Sequence, residues 1–169
     1  HCGCGRKWVA DKVIAVSGGC QCGAVRYRAM ARADTAHICH CRMCQKAVGG
    51  AFATLVNVAR ADMVWTRGAP ATFASSDSVE RGFCAQCGTP LTYSFHASRH
   101  LNVTLGSLDD PASLPPVAQF GLEARQPWVT ALAALPEEGT TEATMAAQVA
   151  AIHATNRQHP DHDTESWPR

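Results

Sequence analysis

The residues of this sequence best suited to chemistry are cysteines in closely spaced groups. Two groups are pairs followed by glycine: Cys20 with Cys22, and Cys84 with Cys87. A structural zinc ion takes four thiolates at about 2.3 Å, and each short spacing lets two sulfurs converge from one turn. Glycine after the second cysteine permits that tight turn. The spacing predicts a structural metal site that ties two distant hairpins together. Four buried, metal-free cysteines packed as small apolar residues are the alternative.

A third group places three cysteines, Cys39, Cys41 and Cys44, within six residues. Three protein ligands leave one position of a tetrahedral zinc open, which is the pattern of catalytic sites. Three thiolates also leave the site with a charge of about minus one, so the metal is a weak Lewis acid that suits a soft ligand. A thiol that coordinates zinc loses its proton. The spacing therefore favours activation of a substrate thiol, with these three cysteines as the catalytic group.

A fourth protein ligand would instead close this site and make it structural. The nearest candidates in the sequence are His37, His40, Cys2 and Cys4. We expect His40 to point away from a metal held by its two cysteine neighbours, and His37 to be the more plausible ligand. Cys2 and Cys4 repeat the C-x-C-G spacing at the N-terminus, where fraying is a simpler expectation than a third metal site.

Composition limits the classes of partner. The chain has 169 residues, of which 17% are charged, and a formal net charge of +1. This is room for one domain, and the near-neutral charge argues against nucleic acid or an anionic membrane surface as a partner. No apolar run reaches the roughly 18 to 20 residues of a membrane-spanning helix. Nine cysteines cannot all pair within one chain, and no apolar signal segment is visible, so we expect a reducing, cytoplasmic location rather than a disulfide framework.

The elements that must position these groups are predicted to be short strands. Segments with period-two alternation, such as the one that holds Val25, Tyr27 and Ala29, are separated by turn residues. Residues 39–44 are expected to form a six-residue loop, and the glycines that follow at 49 and 50 are expected to break any helix. The sequence predicts a mainly β fold in which metal pins one small sheet or a pair of sheets.

The last third of the sequence has a different pattern. Residues 142–153 are predicted to form a helix whose apolar stripe of Met145, Val149 and Ile152 packs on the body or on a partner. Residues 159–163 lack periodicity, and we expect them to be poorly ordered. We divide the chain into a flexible N-terminal segment (1–12), a zinc-binding domain (13–137) and a C-terminal helix with a tail (138–169).

The aromatic and the basic side chains are both expected to have structural rather than catalytic roles. The aromatic residues on strand patterns are expected in the core: Phe52, Trp65, Phe73, Phe83, Tyr93 and Phe95. The scattered basic residues could meet the carboxylates of a small anionic substrate, but a solvated face is the simpler expectation. They are Arg26, Arg28, Arg42, Lys46 and Arg81.

The order of these motifs resembles the glutathione-dependent formaldehyde-activating enzyme family. The segments that carry the resemblance are SGGCQCGAVRY (17–27), CHCRMCQK (39–46) and RGFCAQCGTPL (81–91), with further similarity at 103–111 and 128–136. The resemblance covers about residues 13–137 and leaves out the helix that follows. It implies an Mss4-like fold with two zinc ions per chain. Cys20, Cys22, Cys84 and Cys87 match the structural site, and Cys39, Cys41 and Cys44 match the catalytic one.

The family also implies an activity, the addition of the glutathione thiol to formaldehyde, which in reverse is a carbon–sulfur lyase reaction. We therefore expect a thiol such as glutathione and a small aldehyde as partners. The family includes a centromere-protein V branch, so a zinc-stabilised binding module without catalysis is the alternative. A zinc store or redox sensor that uses exposed thiolates is a third hypothesis. The sequence leaves the oligomeric state open, and the apolar stripe of the helix at 142–153 is the expected contact of a homodimer.

Overall fold

The computed structural model describes residues 12–167, which contain ten strands and three α-helices. The N-terminal segment with Cys2 and Cys4 lies outside the described residues, so the expectations for it stay predictions. The strands are β1 Val13–Gly19, β2 Arg26–Arg32, β3 His37–Cys39, β4 Ala53–Ala59, β5 Val64–Arg67, β6 Ala71–Ser76, β7 Val79–Phe83, β8 Pro90–Phe95, β9 His100–Thr104 and β10 Ala118–Phe120. The helices are α1 Arg42–Val48, α2 Thr141–Thr144 and α3 Ala146–Thr155. The prediction of a mainly β fold with a C-terminal helix is confirmed.

All ten strands belong to one branched sheet. Its main path runs β1-β2-β4-β9-β8-β7-β6, and each neighbouring pair on it is antiparallel. The short strand β3 pairs with β4 and, in parallel, with β10, while β5 pairs with β2. The β1-β2 hairpin and the β7-β8 hairpin therefore come from opposite halves of the sheet path. Their turns carry the two cysteine pairs.

The core follows the alternation in the sequence. Val25, Tyr27 and Ala29 are buried, as predicted, and pack with residues from β4, β8 and β9. The buried Tyr27 hydroxyl forms a hydrogen bond with Ser107 at 2.7 Å, which gives its polar end a partner. A second, smaller apolar cluster contains Cys44, Ala53 and Leu55. The two cysteine groups thus lie against different parts of the core.

The predicted core position of the aromatic residues is wrong for two of them. Phe73 is 62% exposed and Phe95 is 45% exposed, whereas Phe52, Trp65, Phe83 and Tyr93 are half-buried. Phe73 lies on β6, which pairs with β7 alone and ends the main path of the sheet. A strand at a sheet edge has fewer neighbours to cover its side chains, so period-two alternation does not guarantee burial there.

The C-terminal helix differs from its prediction. The chain forms α2 and α3 in place of one helix over 142–153, because Met145 leaves helical geometry with φ −136° and ψ 38°. The predicted apolar stripe is not buried: Met145 is 46% exposed and Ile152 is 59% exposed. Packing of the stripe on the body is therefore wrong, and its use as a dimer contact stays a prediction. Within residues 12–167, no helix combines the length and apolar character needed to cross a membrane.

The segment that follows α3 docks on the β1-β2 hairpin, which contradicts the expectation of a poorly ordered end. His159 is 3% exposed, and its backbone N–H donates to the Gln21 carbonyl at 2.7 Å. Asp163 accepts hydrogen bonds from Arg26 at 2.8 Å and Arg28 at 2.7 Å. The expectation failed because side-chain docking of an irregular segment leaves no periodic pattern in the sequence.

The docking also corrects the interpretation of Arg26 as part of a solvated face. Its side chain is 4% exposed and makes two hydrogen bonds to the carboxylate of Asp109, at 2.7 and 2.6 Å. Burial alone would raise the pKa of Asp109, but hydrogen bonds from Arg26 and Ser17 outweigh it and hold this pKa below its ordinary value. Arg26 therefore joins β2, the loop at Asp109 and the C-terminal segment.

Candidate metal centres

The first candidate centre lies where the turns of the β1-β2 and β7-β8 hairpins meet. Its four sulfurs, from Cys20, Cys22, Cys84 and Cys87, all lie within 4.8 Å of one another. Each turn is closed by an amide of the following glycine: Gly23 donates to the Cys20 carbonyl at 3.0 Å, and Gly88 to the Cys84 carbonyl at 2.9 Å. Both glycines have positive φ, +72° and +77°, which favours glycine over any residue with a Cβ.

The distances and donors of this group fit zinc. Four ligands at 2.3 Å in a tetrahedron are about 3.8 Å apart, and the Cys20–Cys22 and Cys22–Cys84 sulfurs are 3.6 and 3.8 Å apart. Backbone N–H groups of Val25 and Gln86 donate to the sulfurs of Cys20 and Cys84 at 3.2 and 3.4 Å. Such hydrogen bonds orient the thiolate ligands of a metal site. Without a metal, burial raises the pKa of Cys20 to about 12. A cation would be needed to keep the Cys20 thiol ionised.

The second candidate centre contains Cys39, Cys41 and Cys44, whose sulfurs also lie within 4.8 Å of one another. The expectation of a loop over 39–44 is wrong for residues 42–44, which begin α1. Cys39 ends β3, Cys41 is the N-cap of α1, and Cys44 lies in the first turn of the helix. The Cys44 N–H donates to the Cys41 sulfur at 3.4 Å, so one of the proposed ligands also caps the helix. A strand end and a helix start hold this group more rigidly than a loop would.

The segment from β10 to Ala124, which is distant in sequence, packs against the backbone of this second centre. A Cβ at Gly121 would lie 2.7 Å from the Cys41 backbone nitrogen, so only glycine fits there. The buried side chain of Gln45 donates to the carbonyls of His40 and Ala124 at 2.6 and 2.8 Å. Together with the β3-β10 pairing, these contacts fix the backbone on both sides of Cys41.

The three sulfurs of the second centre border a cavity of about 270 Å³. His37, Met43, Arg81 and Tyr93 are among the other residues that line it. Arg81 donates from its guanidinium to the Cys44 sulfur at 3.5 Å and lies 5.0 Å from the centre of the Tyr93 ring. Arg81 and Tyr93 are cross-strand partners in the β7-β8 pair. A cation therefore lines the same cavity as the three thiols and contacts one of them.

The protonation of the thiols in this centre is uneven. Burial raises the pKa of Cys39 to about 12. Partial burial opposes ionisation of Cys41 as well, but the Cys44 N–H and neighbouring groups, with the charge of Arg81, bring the pKa of Cys41 below its ordinary value. For Tyr93, burial is the main cause of a pKa above its ordinary value.

Among residues 12–167, no fourth histidine, cysteine or carboxylate lies within 4.8 Å of all three sulfurs. His40 is fully buried, and its Nε2 is 2.9 Å from the Gln119 side-chain oxygen, away from the cluster as predicted. His37 borders the cavity, with its Nδ1 2.8 Å from the Thr35 carbonyl oxygen. Cys2 and Cys4 lie outside the described residues. In the described part of the chain, the three-cysteine centre is open.

The sequence interpretation missed Arg81 and Tyr93 as residues of the centre. It grouped Arg81 with scattered basic residues and Tyr93 with core aromatics. The signal that could have located them is the pairing of their strands, because both lie on strands that flank the CAQCG turn at 84–88. The seven cysteines in the described part of the chain are all free thiols, which disfavours the disulfide alternative for them.

The sequence profile of the glutathione-dependent formaldehyde-activating enzyme family matches residues 15–123, which include both cysteine centres. The chain belongs to this family. No curated protein shows significant similarity to the chain. Among solved structures, it is similar to a crystal structure of a Rhodobacter sphaeroides protein from a structural genomics programme, with 21% identity and a TM-score of 0.50. The alignment covers 61% of this chain and 98% of the other, and it supports the fold alone.

The family match ends well before the C-terminal helices. The docked segment around His159 and Asp163 is therefore an addition to the part of this chain that the glutathione-dependent formaldehyde-activating enzyme profile describes. Its contacts with Gln21 and Arg26 nevertheless place it against the hairpin that carries the first cysteine pair. The C-terminal segment thus packs against the hairpin of the first centre, a contact that family membership alone does not predict.

Proposed function

We propose that this protein is a zinc-dependent carbon–sulfur lyase that forms or breaks the adduct of a small thiol with a small aldehyde, as S-hydroxymethylglutathione synthase does. Family membership supports this class of reaction. One observation carries the proposal: three converging thiols border a cavity, and no fourth protein ligand closes the group within the described residues. Free thiols in both centres also favour a reducing compartment such as the cytoplasm.

The two cysteine groups would have different roles. Cys20, Cys22, Cys84 and Cys87 would hold a structural zinc ion, and Cys39, Cys41 and Cys44 a catalytic one. Zinc at the second group would supply an open coordination position that favours the ionised form of a substrate thiol. The first group offers four sulfurs and is built into the main core, which suits a closed structural site.

The chain's own residues at the second group would orient the reactants and balance charge. Arg81 faces the sulfurs and offsets part of the negative charge of three thiolates. Tyr93 and Leu55 border the cavity and limit the water inside it. The cavity would hold a thiol and a one-carbon aldehyde close together, so that the reaction gains from proximity.

The proposed reaction balances without a further reagent. The sulfur of the ionised thiol forms a bond with the aldehyde carbon, and the C=O π electrons move to the oxygen. That oxygen takes up a proton, which replaces the one lost from the thiol, so the product is the hydroxymethyl thioether. In the reverse direction, the hydroxyl loses its proton and the C–S bond breaks.

Exchange spectroscopy by NMR tests the proposal, because glutathione and formaldehyde also combine slowly without a catalyst. We expect zinc-loaded protein to accelerate exchange between free and hydroxymethylated glutathione. Cys41→Ser should abolish the acceleration while circular dichroism shows an intact fold, and Arg99→Met, which removes a charge outside both centres, should retain it. Wild-type protein with two zinc ions and no acceleration would contradict the proposal and favour a zinc-stabilised binding module.

A further inference from the structure

The turn that carries Cys22 is held by residues far from it in the sequence. The carbonyl of Gln21, just before the cysteine, accepts a hydrogen bond from the His159 backbone N–H at 2.7 Å. The carbonyl of Gly23, just after it, accepts one from the Arg67 guanidinium at 3.2 Å. The backbone is therefore fixed on both sides of one proposed zinc ligand.

The side chain of His159 joins these two contacts into one unit. Arg67 donates to its Nε2 at 3.2 Å, and its ring packs on Gly23, where any Cβ would clash with it. Arg67 also donates to the Thr164 hydroxyl at 3.0 Å, and the Trp167 ring lies 4.6 Å from the His159 ring. Residues 159–167, here called the docked segment, thus bind the Cys22 turn through several mutually supporting contacts.

The four sulfurs of the first centre differ in their access to solvent. Cys20 and Cys84 are 3% and 1% exposed, whereas Cys22 and Cys87 are half-buried and border a cavity of about 1030 Å³. A competing ligand that enters this cavity meets Cys22 and Cys87 first. Three further residues that line the cavity come from the C-terminal part of the chain: Asn156, Arg157 and Trp167.

The two accessible cysteines are supported in different ways. The Cys87 sulfur lies 3.2 Å from the Thr89 hydroxyl, and the Cys84 N–H donates to the Thr89 carbonyl at 3.0 Å, so this support lies within one hairpin. The Cys22 turn has the docked segment in addition, which can detach without unfolding of the sheet. Detachment would loosen Cys22 while the other three cysteines keep their places.

We propose that the docked segment retains zinc at the first centre, because it holds Cys22 in place and slows exchange of the metal with competing ligands. The inference takes from the proposed function only the zinc ion at this centre and does not depend on the reaction. His159 is a positioning residue in this account, since it acts on the turn and not on the metal. The family profile ends at residue 123, so this retention is a property that the profile does not describe.

Transfer of zinc from the fully loaded protein to the chromophoric chelator pyridylazoresorcinol tests this. Cys41→Ser identifies the kinetic phase of the first centre, because it should leave zinc there alone. We expect His159→Ala to speed this phase by roughly five- to thirty-fold, the factor of one or two hydrogen bonds that no longer oppose local opening. Thr164→Val is milder and should speed it by about two- to five-fold. Release from the three-cysteine centre should not change.

His162→Ala is the matched control, because it removes the same ring from an exposed position of the docked segment. Equal release rates in His159→Ala and the wild type would overturn the proposal. Equal acceleration at both centres would overturn it too, since that reports a general loss of stability, and so would equal effects of His159→Ala and His162→Ala. Failure of the proposed reaction is seen separately, as absence of accelerated glutathione exchange, and leaves these release rates unchanged. Wild-type protein that holds no zinc at the first centre would overturn the retention directly.

Discussion

The docking of the C-terminal segment can be tested at Gly23, where the two cysteine turns provide their own control. A Cβ at Gly23 would lie 2.3 Å from the His159 ring carbon Cδ2, whereas a Cβ at Gly88 would meet nothing within 4 Å. Both residues follow the second cysteine of a pair and have nearly equal positive φ. Gly23→Ala and Gly88→Ala therefore carry the same backbone strain, about 1–2 kcal/mol, and differ in the clash with His159.

The clash would displace His159 and release the contacts that follow it. These include the hydrogen bonds from Arg26 to Asp163 and from Arg67 to the Thr164 hydroxyl, at 2.8 and 3.0 Å. The ring contact of His159 with Trp167, 4.6 Å between centroids, would be lost as well. Hydrogen bonds to charged groups contribute about 1.5–3 kcal/mol each, but release of the segment returns chain entropy. We expect Gly23→Ala to lower the free energy of unfolding by about 1–3 kcal/mol more than Gly88→Ala.

Urea unfolding of the zinc-loaded variants measures this difference. The same two substitutions in a chain truncated after Gln158 complete the cycle, and there they should cost equal amounts because the clashing partner is gone. Equal costs in the full chain would refute the docking. An excess cost of Gly23→Ala that persists in the truncated chain would refute it too, since the cause would then lie within the turn.

Three further predictions concern charge. Arg26→Met leaves the nearly buried Asp109 carboxylate without its main partner and should destabilise the protein by about 3 kcal/mol in thermal unfolding. The control Arg99→Met should cost less than about 0.5 kcal/mol. Similar losses in the two variants would contradict the buried ion pair. Hydrogen bonds from Arg26 and Arg28 hold the pKa of Asp163 below its ordinary value of 3.8. The contribution of Asp163 to the free energy of unfolding is therefore complete above pH 3.8 and is lost as the pH falls through the lower pKa of the folded protein. Asp163→Asn should make the free energy of unfolding less dependent on pH in this range, and an unchanged pH dependence would contradict the contact. Arg81→Met removes the cation beside Cys44 and should weaken the binding of zinc at the three-cysteine centre by about ten-fold in competition with a chelator. Zinc at the four-cysteine centre should be unaffected. Equal loss of both zinc ions would contradict a local role of Arg81.

The sequence predicted the parts of the protein that local spacing determines. The cysteines of each pair lie within a few residues, so one turn brings their two sulfurs together wherever the hairpin lies. Each of the two predicted cysteine groups has its sulfurs close together in the structure, as expected. The alternation in β2 likewise located Tyr27 in the core. The cysteine roles as structural and catalytic ligands, and the division of the chain at residues 12 and 137, stay predictions.

The features that sequence reasoning did not locate depend on tertiary contacts. Arg81 faces Cys44 through a tertiary contact between β7 and α1, and its own segment shows nothing but alternation. The helix start at Cys41 was hidden because a cysteine replaced the usual N-cap residues. His159 and Asp163 gave no periodic pattern, since they dock through individual side chains. Phe73 has the sequence pattern of a core residue, although its position on an edge strand leaves it exposed.

The central claim is that the three-cysteine centre holds a metal with a position open to a thiol. Metal analysis of anaerobically purified protein, followed by cobalt substitution and titration with glutathione, tests it most directly. We predict two metal ions per wild-type chain, one in Cys41→Ser, and a change in the thiolate-to-cobalt absorption on glutathione addition in the wild type alone. Two ions retained in Cys41→Ser, or a wild-type spectrum that glutathione leaves unchanged, would contradict the claim.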